Sequence, residues 1–332
     1  MKSRDHRRIS GFRKRIRIPF YNHLNLVAMS CDLLKQRDLI EEFLNKRPRQ
    51  LSAFSFINIF TWRDFFDFAA ELINGNLCIF AKDSLGCFMY LPPLGENIRE
   101  DTIEECFRLM NSQNQGSGIS RIENLEEDDM PFFRSSGLSC FKKSDEYVYR
   151  REDMVSLKGN SFKSKRSSYN YFVKNYPYDF LPFKEDMRKE CETLYDTWAQ
   201  GRLQVHRNEV YREMLEESRF VHRLALKEYK VLRLTGRVIT IDGKIKAYSF
   251  GFPLNQDTFC ILFEVADLNI KGLSMGIFRE FCADCEIQNF QFINVMDDFG
   301  LENIKATKLS FRPYQTLPSY VVSKKDKNEI SP

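Results

Sequence analysis

Residues 147–172 read YVYRREDMVSLKGNSFKSKRSSYNYF. Aromatic residues alternate at the start, an acidic pair follows at Glu152 and Asp153, and from Leu157 to Phe172 there is no acid at all. In that acid-free run Lys158, Lys163, Lys165 and Arg166 are interleaved with Phe162, Tyr169, Tyr171 and Phe172. Helical spacing places Lys163, Arg166 and Asn170 on one face and Phe162, Tyr169 and Phe172 on the other, toward a core. Gly159 is expected to end one short helix, and Asn160 or Ser161 to cap the next. A helix N-terminus beside cations suits an anion, because free N–H groups and the helix dipole add to the side-chain charge. A solvated basic face is the plainer reading of the same spacing.

The rest of the chain gives this stretch its setting. A length of 332 residues predicts two domains, and 30 Phe and 14 Tyr supply a sizeable core. No apolar run approaches the roughly 18 residues a membrane-spanning helix needs. Nine cysteines without framework spacing predict reduced thiols in a cytoplasmic setting. The net charge is +4, yet residues 1–18 carry eight Lys or Arg against Asp5 alone, which leaves the remainder mildly acidic. Such a basic arm suits RNA or an anionic membrane surface, or serves as a solubilising tail.

The periodicities imply a duplication. A helix is expected over 33–46, and Ser52 as the cap of a second helix through Phe56, Ile57 and Phe60. FAAELI, LCIFAK and CFMYLPP then read as a three-strand meander with Asn74-Gly75 as its first turn, followed by a helix bearing Ile103, Phe107 and Met110 and a polar loop at 111–118. The second half repeats the order. Met187, Cys191, Leu194 and Trp198 mark one helix, and a second covers about 208–227. RVITI, KIKAYSFGF and TFCILFEVA form another meander around Asp242-Gly243, and a helix spans 273–286. The two hairpin turns lie 168 residues apart. This predicts an α+β chain made of a basic arm (1–18), a unit at 19–150, a like unit at 151–322 and a disordered tail at 323–332.

Two further stretches carry chemistry. In INVMDDFGLENIKATKLSFRP (293–313), Asp297, Asp298 and Gly300 are expected to form a turn that caps a helix bearing Lys305 and Lys308, with Leu309-Ser310-Phe311 entering a strand. In EVADLNIKGLSMGIF (264–278), a strand runs into a loop with Lys271, Gly272 and Gly276 that is able to cradle a phosphate. Cys282 and Cys285 form a CxxC without a partner pair, and the four histidines lack ligand spacing, so no metal centre is expected. Neither a GxSxG elbow nor a Walker loop is present.

Together, the stretch at 147–172, the run NVMDDFGLENIKATKLSFRP and the helix LSAFSFINIFTWRD (51–64) resemble the signatures of the phosphatidylglycerol lysyltransferase C-terminal-domain family, in the same order and over nearly the whole chain. The resemblance implies two tandem GNAT-like acyltransferase folds, each a mixed, mostly antiparallel sheet flanked by helices. It places the chain with the stand-alone members that lack a transmembrane half. Lys165 and Arg166 match the family's KR pair, and Lys158 and Gly159 its lead-in. Asn294, Asp298, Gly300, Lys308 and Ser310 match its second signature, and Glu264 an acid at the end of the central strand. The family's His, Asn and His around the KR pair are here Lys163, Ser167 and Ser168, and its Gly-Leu-Arg is Asn303-Ile304-Lys305.

The implied activity moves an acyl or aminoacyl group from aminoacyl-tRNA or acyl-CoA to an amine or hydroxyl, with no tightly bound cofactor. Under it Lys158, Lys163, Lys165, Arg166, Lys308, Lys271, Gly272 and Gly276 would bind donor phosphates. Asp298 or Glu264 would accept a proton, and Asn294 would position a carbonyl. The alternative is a non-catalytic binder of RNA or an anionic membrane surface on a degenerate transferase fold.

Overall fold

A computed structural model describes residues 32–116, 118–206 and 209–324. The basic arm at 1–18 and the tail from residue 325 lie outside the described residues. Two short helices, α1 (Arg37–Leu44) and α2 (Phe56–Thr61), lead into the hairpin β1 (Asp67–Ile73) and β2 (Asn76–Lys82). Ser55, not Ser52, caps α2 by accepting from the Asn58 amide. Strand β3 (Cys87–Met89), helix α3 (Glu100–Gln113) and strand β4 (Arg121–Leu125) follow, then α4 (Met130–Ser135). The long strand β5 (Ser139–Arg150) closes the first half, and α5 (Arg151–Ser156) and α6 (Lys163–Asn175) open the second.

From there β6 (Asp179–Pro182) precedes the helical pair α7 (Arg188–Val205) and α8 (Glu209–Glu228). The second meander is β7 (Thr235–Ile241), β8 (Lys244–Pro253) and β9 (Thr258–Ala266). Helix α9 (Leu273–Ala283), strand β10 (Phe292–Asn294), helix α10 (Glu302–Leu309) and strand β11 (Gln315–Ser323) complete the described chain. Both hairpin turns take the left-handed backbone their residues tolerate, with φ of 48° at Asn74 and 51° at Asp242.

All the strands join one eleven-stranded sheet in the order β1-β2-β3-β4-β11-β5-β10-β9-β8-β7-β6. Pairing is antiparallel except at β3–β4 and β10–β9, where a single α-helix crosses between the neighbouring strands. The sheet thus runs unbroken past residue 150, and the C-terminal strand β11 lies between β4 and β5 of the first half. The expected strand at Leu309-Ser310-Phe311 is instead the end of α10 and a turn, and the strand begins only at Gln315. Among the described residues no helix is long and apolar enough to cross a membrane.

Candidate active site

Strand β10 is short, and its parallel pairing with β9 covers only Thr258 to Cys260. Strand β9 continues to Ala266, and among the described residues no strand pairs with it on that side. After Asn294 the chain follows β5 instead: the Val295 amide donates to the Tyr147 carbonyl at 3.0 Å. It then turns through Met296 at φ 61°, Phe299 at 53° and Gly300 at 67°. Beyond Cys260, β9 and the loop 295–300 are no longer paired, which leaves a wedge in the strand pairing. On its β9 wall the register slips, since Phe250 faces Phe263 while Gly251 faces Ile261, so Leu262 bulges. Bulges of this kind re-aim backbone groups beside functional sites.

The two signature stretches, separated by about 120 residues of sequence, meet at this wedge. The Tyr147 hydroxyl donates to Asp298 Oδ2 at 2.5 Å, and the Tyr149 hydroxyl to the Lys308 carbonyl at 2.9 Å. Lys165 Nζ donates to Ser310 Oγ at 2.7 Å and lies 3.7 Å from the centre of the Phe311 ring. Burial lowers the pKa of this lysine. Arg166 turns back and donates to the carbonyls of Leu157 and Gly159. It therefore braces a turn in which Leu157 and Gly159 both have positive φ, 48° and 86°. Neither Asn160 nor Ser161 caps α6: a 3-10 turn over 160–162 leads in, and no side chain caps the helix.

Several of the predicted residues are occupied by the protein itself. Asp298 is buried and its second oxygen accepts from the Gly300 amide at 2.9 Å. Asn294 donates to Glu146 at 2.7 Å and to the Gln50 carbonyl at 3.2 Å, and accepts from the Met296 amide at 2.7 Å. Lys308 donates to the carbonyls of Val295, Met296 and Asp297. Burial lowers its pKa, against the pull of Asp297, Glu146 and Asp298. Its ammonium is turned inward and holds the loop, so it does not face an outside phosphate. Nor does the turn at Asp297–Gly300 cap α10 through a side chain, since Leu301 stands at the N-cap.

Glu264 differs from these. It is half-buried at the end of β9, with Oε1 3.4 Å from Ser274 Oγ in the first turn of α9. Its Oε2 is buried with no hydrogen-bond partner among the described residues. Burial pushes its pKa up to about 8, opposed by the Ser274 hydroxyl. Lys158, Lys163 and Lys271 are exposed, and Lys271 lies 4.4 Å over the Tyr171 ring. The glycines of this region serve packing. A Cβ at Gly272 would lie 2.4 Å from the Ser168 carbonyl, and one at Gly276 would lie 2.6 Å from the Phe172 ring. Helix α6 thus rests directly on α9, with the Phe172 ring against Gly276.

Glu146 is the residue that the motifs did not single out. It is buried on β5 and accepts from the Ser52 amide and hydroxyl and from Asn294. Burial raises its pKa to about 7, against those hydrogen bonds. The signal was present in EYVYR, where alternation places an acid on the same strand face as Val148. Among the described residues no group of three or more His, Cys, Asp or Glu is arranged to hold a metal ion.

A family model described as phosphatidylglycerol lysyltransferase, C-terminal, matches residues 45–323. The crystal structure of a conserved protein of unknown function from Bacteroides thetaiotaomicron is similar at TM-score 0.77 and 26% identity, covering 88% of this chain and 97% of that one. The structure of L-PGS from Bacillus licheniformis is similar at TM-score 0.58 and 18% identity, covering 87% and 92%, a likeness that speaks for the fold alone. No curated protein matches the sequence. The architecture is α+β, one large and mostly antiparallel sheet flanked by helices.

Proposed function

The chain belongs to the phosphatidylglycerol lysyltransferase C-terminal family, and from that premise we propose that it transfers an acyl or aminoacyl group from an activated donor to an amine or hydroxyl. The observation that carries this reading is the wedge beside β9 with a half-buried carboxyl, Glu264, whose second oxygen has no hydrogen-bond partner among the described residues.

In this reading the donor's carbonyl enters the wedge, where backbone N–H groups of β9 beyond Cys260 stabilise the oxyanion. The acceptor's nitrogen or oxygen attacks, a new C–N or C–O bond forms, and the donor's ester or thioester bond breaks. Glu264 takes the proton from the attacking atom and returns it to the leaving group, a role that needs its ionised form. Asp298, Asn294 and Lys308 shape the loop wall. Lys158, Lys163 and Lys271 meet the donor's phosphates, Lys165 lies at the edge of the site, and Arg166 fixes the turn that presents Lys158.

Aminoacyl-tRNA is the preferred donor, because exposed lysines along α6 and its lead-in suit a phosphate backbone, and such a donor places the reaction in the cytoplasm. Acyl-CoA is the rival. The binder reading is favoured by one observation: Asn294, Asp298 and Lys308 are already saturated by internal partners.

A retention assay with bulk charged tRNA and with acetyl-CoA, at two salt concentrations, separates these. Salt-sensitive retention of aminoacyl-tRNA that weakens with Lys163→Ala and Lys271→Ala supports the first donor, and retention of acetyl-CoA alone supports the second. A transferase loses group transfer in Glu264→Gln while keeping retention. Retention of neither donor sinks the transferase reading.

A further inference from the structure

We propose that Glu146 is a positioning residue that fixes the site loop 295–300 by joining Asn294 to Ser52, so that a segment of the first half sets the geometry of the second half's site. The geometry supports this from both ends. Ser52 donates twice to the carboxylate, from its amide at 2.9 Å and its hydroxyl at 2.7 Å. Asn294 donates at 2.7 Å to Oε2, the oxygen that also takes the Ser52 amide, while the Ser52 hydroxyl sits on Oε1. The orientation of the Asn294 amide is fixed by its other contacts, since its nitrogen faces the Gln50 carbonyl and its oxygen faces the Met296 amide.

Met296 is the first left-handed residue of the loop, at φ 61°. Its amide bond to Asn294 therefore sets the direction in which the chain leaves β10. Two residues on, Asp298 meets Tyr147, the neighbour of Glu146 on β5. A non-glycine residue in this backbone region is held by its surroundings, not by its own preference.

The chemistry requires a carboxylate. Three donors converge on Glu146, and a carboxylate is acceptor-only with room for all of them. Glutamine would turn its own NH2 toward one of these donors and leave a buried polar group unpaired. The segment 49–52 is tied to the second half at another point as well, through the Asn255 side chain on the Arg49 carbonyl at 2.9 Å. The first half thus touches the second through Arg49, Gln50 and Glu146, and Glu146 gathers Ser52 and Asn294 on one carboxylate.

The bearing of this link on transfer rests on the function proposed above, but its test needs no substrate. Hydrogen exchange of the full chain is followed by mass spectrometry in three regions: 49–55, 295–301 and the β7–β8 hairpin. In Glu146→Gln, exchange is expected to rise about tenfold or more at both 49–55 and 295–301, with the hairpin unchanged. Ser52→Ala touches only the first half, yet it is expected to speed exchange at 295–301 too, a distant response that a merely local structural role would not give. Should Glu146→Gln not fold, Ser52→Ala alone carries the test. A response confined to 49–55 in Ser52→Ala, or one spread equally over all three regions, overturns the proposal.

Discussion

Replacing Glu264 by Gln should alter the pH dependence of stability in a direction that can be worked out beforehand. Burial raises this carboxyl from its ordinary value of 4.5 to about 8. Between those values the folded protein holds a proton that the unfolded chain has already released. Stability is therefore full below pH 4.5, falls as pH rises, and has lost this contribution once pH passes about 8. At ~1.36 kcal/mol per pH unit the span amounts to about 5 kcal/mol, before allowing for water at the side chain's exposed edge. Glu146, raised to about 7 by burial, adds a slope of the same sign, so the comparison must be with the variant and not with a fixed reference. Gln keeps the size of the side chain and its approach to Ser274. Urea unfolding of both proteins from pH 5 to pH 9 is the assay. The variant's advantage should grow from near zero at the acid end to several kcal/mol at the alkaline end, while transfer is lost. Parallel curves would show that the carboxyl is not desolvated, and its choice as proton acceptor would fall with that.

Three other outcomes are expected. Gly276→Ala should lower stability by about 1–3 kcal/mol in thermal unfolding, because the new methyl meets the buried Phe172 ring at 2.6 Å. His222 is buried, bonded to the Tyr248 hydroxyl at 2.9 Å and pushed down to about pKa 3 by burial. Its neutral form therefore adds stability above pH 6.5 that drains away as pH falls toward 3, and acid titrations of His222→Phe should lack that limb. Lys165 and Arg166 should separate: Arg166→Ala frees the Leu157 and Gly159 carbonyls and lowers the melting temperature. Lys165→Ala should leave melting nearly unchanged and weaken donor retention, more so at low salt.

What could be read in the sequence was local chemistry. Asn74-Gly75 and Asp242-Gly243 announce their hairpins because few other residue pairs accept that backbone, and both meanders lie where the alternation puts them. The two signature stretches were visible as motifs, but their meeting was not. Pairing of β10 with β5 brings Tyr147 to Asp298, and no periodicity encodes which strands pair. Strand β11 carries Pro318, a residue that normally argues against a strand. The proline is tolerated because β4 pairs with β11 only from Tyr320 onward, so at Pro318 only β5 lies alongside. Lys308 looked like a free cation since sequence gives charge and not direction, and only the fold reveals the three carbonyls at its tip.

The seat of β11 between β4 and β5 has a consequence for how the chain is made. During synthesis the first half emerges with one edge of β4 and both edges of β5 bare, and the strand that joins β4 to β5 is among the last described residues, Gln315–Ser323. Vectorial folding of the first half must therefore stall short of completion, waiting on the translation of the whole second half as far as β11. Contacts of such wide sequence separation are slow to form, and bare strand edges invite pairing with other chains. Ribosome-bound chains ending before residue 315 should thus need chaperone cover, and a truncation removing β11 should cost the first half its solubility even though every residue of that half is present.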